Sequence, residues 1–276
     1  MRTPRLLYSH RWSARGAVLL VGLALLLFAC SDTSSPTGAD PGEDSSDPGD
    51  DPPASFDSEA APGSSAEAFL NDDRFPVLAV EVDYMEGYEP RSAALDSLKA
   101  SLSRHLSKST IRIDAPTSIP AEGRDTYTSE QVRDLEAEHR THYTRAESDT
   151  LRAYFLVLDG KYSTENVVGI AYYNTSMAFF GETIDEITGG VTQPSREKVE
   201  ATVFRHEFGH NLGLVNNGTP MQQDHHDEEN GPHCDEEQCV MYHAIETTDY
   251  FSNVFDGTVP SFEQFCTADM DAQDEE

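Results

Sequence analysis

His206, Glu207 and His210 have the types and the spacing for metal chemistry. On a helix, residues four apart lie one above the other, so His206 and His210 turn two imidazoles toward one point. A Zn²⁺ about 2.0–2.1 Å from each nitrogen fits there. Glu207 stands beside the first histidine, placed to take a proton from a water at that metal. The stretch continues H-E-x-x-H-x-x-G to Gly213, which is expected to stop the helix because glycine reaches the left-handed conformation without a Cβ penalty.

The helix that must carry this face begins after Pro194. Ser195 is a natural N-cap, and Glu197 falls in the first turn. Val199, Val203, His206 and His210 recur at helical spacing, so the metal face continues an apolar one.

Upstream, Phe75 to Val82 (FPVLAVEV) reads as a buried strand, and Leu95, Leu98, Leu102 and Leu106 mark a helix over Pro90 to Leu106. Thr110 to Ile113 is a second strand, and Ser129 to Tyr143 a polar, charge-rich helix. Leu151 to Leu158 (LRAYFLVL) reads as a central strand. Val167 to Tyr173 and Ser176 to Phe180 follow as strands, one of them an edge strand, and Pro260 to Asp271 as a closing helix. Strands alternating with helices imply an α/β fold, with a mixed, mostly parallel sheet packed by helices. The loop from Asn216 to Cys239 is long enough to expect a function of its own. Six of the ten histidines lie at or beyond the H-E-x-x-H helix.

Before the globular part stands a targeting segment. Arg2, Arg5, Arg11 and Arg15 precede the apolar run Ala17 to Phe28, which is short for a membrane span. Leu27-Phe28-Ala29-Cys30 resembles a bacterial lipobox, with cleavage before Cys30 and lipid on its thiol. The expected organisation is a lipoprotein signal peptide over 1–29, a disordered acidic tether over 30–65 and a metallopeptidase domain over 66–276. The tether is Asp, Ser, Pro and Gly with almost nothing apolar to bury. Such a chain is exported to the bacterial cell envelope and lipid-anchored at the outer membrane or cell surface.

The formal charge of the 276 residues is −31, and removing the four leader arginines makes it −35. That excludes nucleic acid as a partner, because phosphate contacts need clustered Lys and Arg. The lysines are Lys99, Lys108, Lys161 and Lys198 alone. Acidic, lysine-poor exported chains resemble those of salt-loving bacteria, where salt screens self-repulsion. An acidic surface that selects basic substrates is the competing reading.

Downstream, His233-Cys234-x4-Cys239-x-Met241 follows the H-E-x-x-H-x-x-G stretch. The combination resembles the archaemetzincins, a branch of the metzincin zinc peptidases. The likeness is strong over Arg205 to Gly213 and His233 to Met241, topological over Phe75 to Phe180, and absent from the N-terminal head. It implies a metzincin-like zincin fold, in which a long loop and a Met-turn follow the catalytic helix. It implies His206 and His210 as zinc ligands, Glu207 as general base, and Met241 as the Met-turn residue beneath one catalytic Zn²⁺.

Two departures follow. The position three residues after the glycine, where the family's third ligand stands, is Asn216. His233 is the first candidate for that ligand because it precedes Cys234 as the family ligand precedes its cysteine. His225, within Asp224-His225-His226-Asp227, is the alternative. The family's later C-x-x-C, which completes a four-cysteine zinc site, is here Cys266-Thr267-Ala268-Asp269. In an exported chain a disulfide competes for these thiols. Cys234–Cys239 is the first pairing, Cys239–Cys266 its rival.

The reading is a membrane-anchored zinc metalloendopeptidase acting on a peptide or protein. Tyr242 is a candidate oxyanion donor, with packing as its alternative role. The rival functions are a non-catalytic zinc-containing surface binding protein and a zinc amidase acting on a non-protein substrate.

Overall fold

A computed structural model describes residues 56–274. The expected signal peptide, Cys30 and most of the expected tether lie outside the described residues.

In chain order the elements are α1 (Ala66–Leu70), β1 (Val77–Met85), α2 (Ser92–His105), β2 (Thr110–Ile113), β3 (Thr117–Ile119), β4 (Thr126–Tyr127), α3 (Ser129–His139), β5 (Thr150–Leu158), β6 (Lys161–Tyr162), β7 (Gly169–Tyr173), β8 (Ser176–Phe180), α4 (Gly181–Glu186), α5 (Arg196–Asn211), a 3₁₀ turn (His243–Glu246), α6 (Thr248–Asn253) and α7 (Gln264–Asp274). The main sheet runs β2-β1-β5-β8-β7, with β3 pairing the far end of β1. All its pairs are parallel except β7 with β8. The fold is therefore α/β with a mixed, mostly parallel sheet. Among the described residues no helix is long and apolar enough to cross a membrane.

The sheet separates two cores, and alternation along β5 feeds both. Leu151, Ala153, Phe155 and Val157 join the larger core with α2 and α5. Tyr154, Leu156 and Leu158 face the smaller core with α3. Helices thus cover both faces, as parallel strands buried on both sides require. α2 is fixed to α5 at its start, where the Arg91 N–H donates to Glu200 Oε2 at 2.7 Å and Arg196 Nε donates to Glu200 Oε1 at 2.6 Å.

Several boundaries differ from the sequence expectation, and three of these differences have a visible cause. The polar helix from Ser129 stops at His139 rather than Tyr143. Arg140 turns its backbone extended and sends its guanidinium inward, while the Thr141 and His142 N–H groups both donate to the buried Glu81 carboxylate at 2.8 Å. The closing helix starts at Gln264 rather than Pro260, because the Ser261 carbonyl is taken by the Val240 N–H. The expected tether ends before residue 65, since residues 56–65 pack on the fold. Phe56 meets Phe75 edge-on, and the Asn174 amide donates to Asp57 O at 2.8 Å and Ser65 Oγ at 2.7 Å.

Candidate metal centre

α5 is buried on every side from Val199 to Asn211. Ser195 occupies the N-cap, but its hydroxyl makes no capping bond. The far end closes as a Schellman motif. The Gly213 N–H donates to His210 O at 3.1 Å, the Leu214 N–H donates to Gly209 O at 3.2 Å, and Gly213 has φ +70°. The expected stop signal is the one used. Two glycines allow close approaches to this helix. A Cβ at Gly209 would collide with Met241 Sδ, so the Met-turn side chain packs directly under α5. A Cβ at Gly169 would stand 3.0 Å from Glu207 Cγ and Oε1, so β7 runs close beside the glutamate.

His206 and His210 face each other with their Nε2 atoms 3.3 Å apart. Two nitrogens about 2.05 Å from a tetrahedral metal stand about 3.3 Å apart. The third imidazole comes from the long loop, which folds back as a small hairpin. His226 bridges Cys234, the Asp227 N–H donates to His233 O at 2.8 Å, and the Asp235 N–H donates to His225 O at 3.0 Å. This puts the His233 ring 5.2 Å from that of His206 and 5.0 Å from that of His210. His225 lies elsewhere, against Cys234 and Asp269. His225, the alternative third ligand, is thus not at this centre. Asn216 sits in a left-handed turn at φ +59° just past the helix.

The donors suit a zinc ion. The His206 Nδ1–H donates to Val240 O at 2.6 Å and the His233 Nδ1–H donates to Asn230 O at 2.7 Å, which leaves each Nε2 with its lone pair. His233 Nε2 is buried and finds no hydrogen-bond partner among the described residues. Burial holds His206 well below the usual histidine range, His210 down at about 3, and His233 below its ordinary value, with the neighbouring histidines adding to each. All three are neutral at physiological pH, as imidazole ligands must be.

Glu207 is buried beside them. Burial pushes its carboxyl well above the ordinary range, and Glu246 pushes the same way. The Ala171 N–H acts against this shift but does not reach the carboxylate with hydrogen-bond geometry. Glu246 is a residue that sequence reasoning missed. It groups with the three histidines, all donor atoms within 4.8 Å of one another, and its Oε2 lies 3.9 Å from His233 Nε2. Burial raises its carboxyl to about 7. One carboxylate among 50 carries no distinguishing sequence signal. A cleft of about 320 Å³ opens over Glu207, His210, His233 and Glu246, with Ile170 and Ala171 of β7 along one wall. Tyr242 is not among its lining residues; its ring lies tilted beside that of His243, centroids 4.5 Å apart.

Neither expected disulfide forms. Cys234, Cys239 and Cys266 are free and buried. Their sulfurs gather at one place instead of pairing, with Cys239 Sγ 3.5 Å from Cys266 Sγ.

Fold and site together define an α/β domain with a candidate three-histidine metal centre. Among solved structures the chain is similar to an archaemetzincin from Methanopyrus kandleri, with 15% identity over 73% of this chain and 96% of that one and a TM-score of 0.48. It is also similar to metalloproteinase-II from Bacteroides fragilis, with 12% identity over 80% of this chain and 59% of that one and a TM-score of 0.43. No family model and no curated protein matches the chain.

Proposed function

We propose that this chain is a zinc-dependent metalloendopeptidase. One observation carries the reading: His206, His210 and His233 converge on one point beside the buried, unpaired carboxylate of Glu207. When bound, zinc polarises the scissile carbonyl and lowers the pKa of the attacking water toward about 7. His206, His210 and His233 would hold the ion, each offering a neutral imidazole nitrogen. Glu207 takes the proton of the attacking water and hands it to the leaving amine.

The substrate lies along β7. That strand ends the sheet, and Ile170 and Ala171 wall the cleft beside Glu207. An extended peptide pairing antiparallel with this free edge adds a strand and brings its backbone across the histidines. The test is incubation of the purified, zinc-loaded protein with a peptide library. Cleavage is expected, is expected to stop on chelation, and is expected to return when zinc is restored. A zinc-loaded, folded protein that cuts no peptide sinks the proposal.

The proposal extends to location. Cys30 carries lipid, and the chain is held in the bacterial cell envelope by a short tether. Its support is the Leu27-Phe28-Ala29-Cys30 sequence closing an apolar run. Cys30→Ser is expected to move the protein to the soluble fraction or to block its processing. A mature-sized variant band that still fractionates with membranes defeats this part.

A further inference from the structure

The free edge of β7 is short, and both of its ends are occupied. Among the described residues β7 pairs as a strand with β8 alone, over Gly169–Tyr173. Just before Gly169 the edge is taken by the chain that follows the Met-turn. The Val168 N–H donates to Glu246 O at 2.9 Å and the Thr248 N–H donates to Asn166 O at 3.0 Å. Residues 246–248 thus stand where a neighbouring strand would, with Val167 and Thr247 bridged antiparallel. Glu246 lines the cleft at this end.

Just past Tyr173 the edge is taken again, by residues 57–65. The Asn174 N–H donates to Ala60 O at 2.8 Å, its side-chain amide donates to Asp57 O and Ser65 Oγ, and the Thr175 hydroxyl donates to Ser58 O at 3.1 Å. Asn174 and Thr175 are fully buried, so the attachment is part of the fold. The segment then crosses to the far end of α5. The Asn217 side-chain amide donates to Pro62 O and to His210 O, each at 3.3 Å. Gly63 lies so close to Asn217 O that a Cβ there would collide with it. Ala61 and Pro62 are thereby held along the cleft, at the end away from Glu246.

We propose that residues 57–65 and 246–248 close the substrate groove at its two ends, and that the substrate is a short extended peptide rather than a long chain or a folded protein. The inference rests on the peptidase reading and narrows its substrate class. The five residues of β7 span roughly 17 Å. A peptide of that length pairs along Gly169–Tyr173 with its scissile bond over the histidines. A longer one must leave the edge at Val168 and at Asn174, whose N–H groups already have partners. Its added residues gain no backbone hydrogen bonds and still lose conformational freedom. Ala61 and Pro62 are then specificity-determining residues, because they set the far limit of the groove.

The test uses the full, zinc-loaded chain and terminally blocked peptides that share one cleaved core and grow from about five to about fifteen residues. Once the peptide outgrows the groove, kcat/KM is expected to fall by about tenfold or more, the worth of one or two backbone hydrogen bonds. Gly63→Ala drives the segment off Asn217, and Asn174→Ala cuts its attachment. Each is expected to raise the ratio of kcat/KM for long over short peptides by about tenfold. If the buried Asn174→Ala does not fold, Gly63→Ala decides. A kcat/KM that stays level or rises with length overturns the proposal, as does a ratio that a folded Gly63→Ala variant leaves unmoved. Binding of the same peptides to zinc-loaded Glu207→Gln gives a readout without turnover. Length-limited binding with no cleavage by the wild type defeats the peptidase reading and leaves the closed groove standing. Cleavage indifferent to length defeats the closed groove and leaves the peptidase reading standing. Neither binding nor cleavage at any length defeats both.

Discussion

Glu207→Gln is expected to lower kcat by about 10²–10⁴-fold while the zinc content stays at the wild-type level. The substitution keeps the volume of the side chain and removes only its ability to carry a proton. A loss of that size is about 3–5 kcal/mol of barrier, within the range for one general acid–base group. His206, His210 and His233 still hold the ion, because Glu207 is not among the donors that face it. The melting temperature is expected to hold or rise. Glu207 is buried with both carboxylate oxygens lacking partners, an arrangement that disfavours the charged form. A neutral amide has less to lose there. Activity lost with stability retained separates a chemical role from a packing one. Wild-type turnover by the variant on a substrate that the native protein cleaves sinks the assignment of Glu207 as the base.

The sequence made the metal centre legible because its chemistry is local. Two histidines and a glutamate within five positions of one helix leave no freedom in how they face. The long strands were legible for a related reason: β1 and β5 are buried on both faces and read as mostly apolar runs. The third ligand was harder, since His225 and His233 lie in one polar loop with no period. Only the folded loop distinguishes them: the His233 ring meets His206 and His210, while His225 meets Cys234 and Asp269. β3, β4 and β6 are three residues or fewer and carry no pattern to detect. Residues 56–65 have the composition of a tether, yet they dock through polar bonds to Asn174 and Thr175 that composition does not encode. An exported chain favours disulfides, so the sequence points Cys234, Cys239 and Cys266 toward pairing and does not show that three thiols and the His225 imidazole gather.

Arg140→Met is expected to destabilise the fold by about 3–5 kcal/mol, the penalty for leaving one member of a buried ion pair alone. Arg140 is fully buried and spends its donors inside the smaller core. Nη1 donates to Glu136 Oε1 at 2.6 Å and to Thr175 Oγ1 and Ser176 Oγ at 3.1 Å, while Nη2 donates to Arg152 O and Nε to His142 O, each at 3.0 Å. The Tyr143 ring lies 4.4 Å from the guanidinium carbon. Arg140→Lys is expected to recover only part of the loss, since an ammonium cannot reproduce a planar fork with five donors. Arg140→Met with Glu136→Gln is expected to cost less than Arg140→Met alone, because no uncompensated charge remains. For a domain of this size each kcal/mol moves the melting temperature by about 2–4 °C, so the single variant should melt about 6–20 °C lower. Thr175 lies in the turn from β7 and Ser176 starts β8, so Arg140 anchors the turn that follows the strand walling the cleft. It touches none of the three histidines or Glu207, so zinc bound per folded molecule should be unchanged. Equal melting temperatures for Arg140→Met and the wild type would show that the buried pair contributes nothing. A single variant no less stable than the double would place its effect in packing rather than in an abandoned charge.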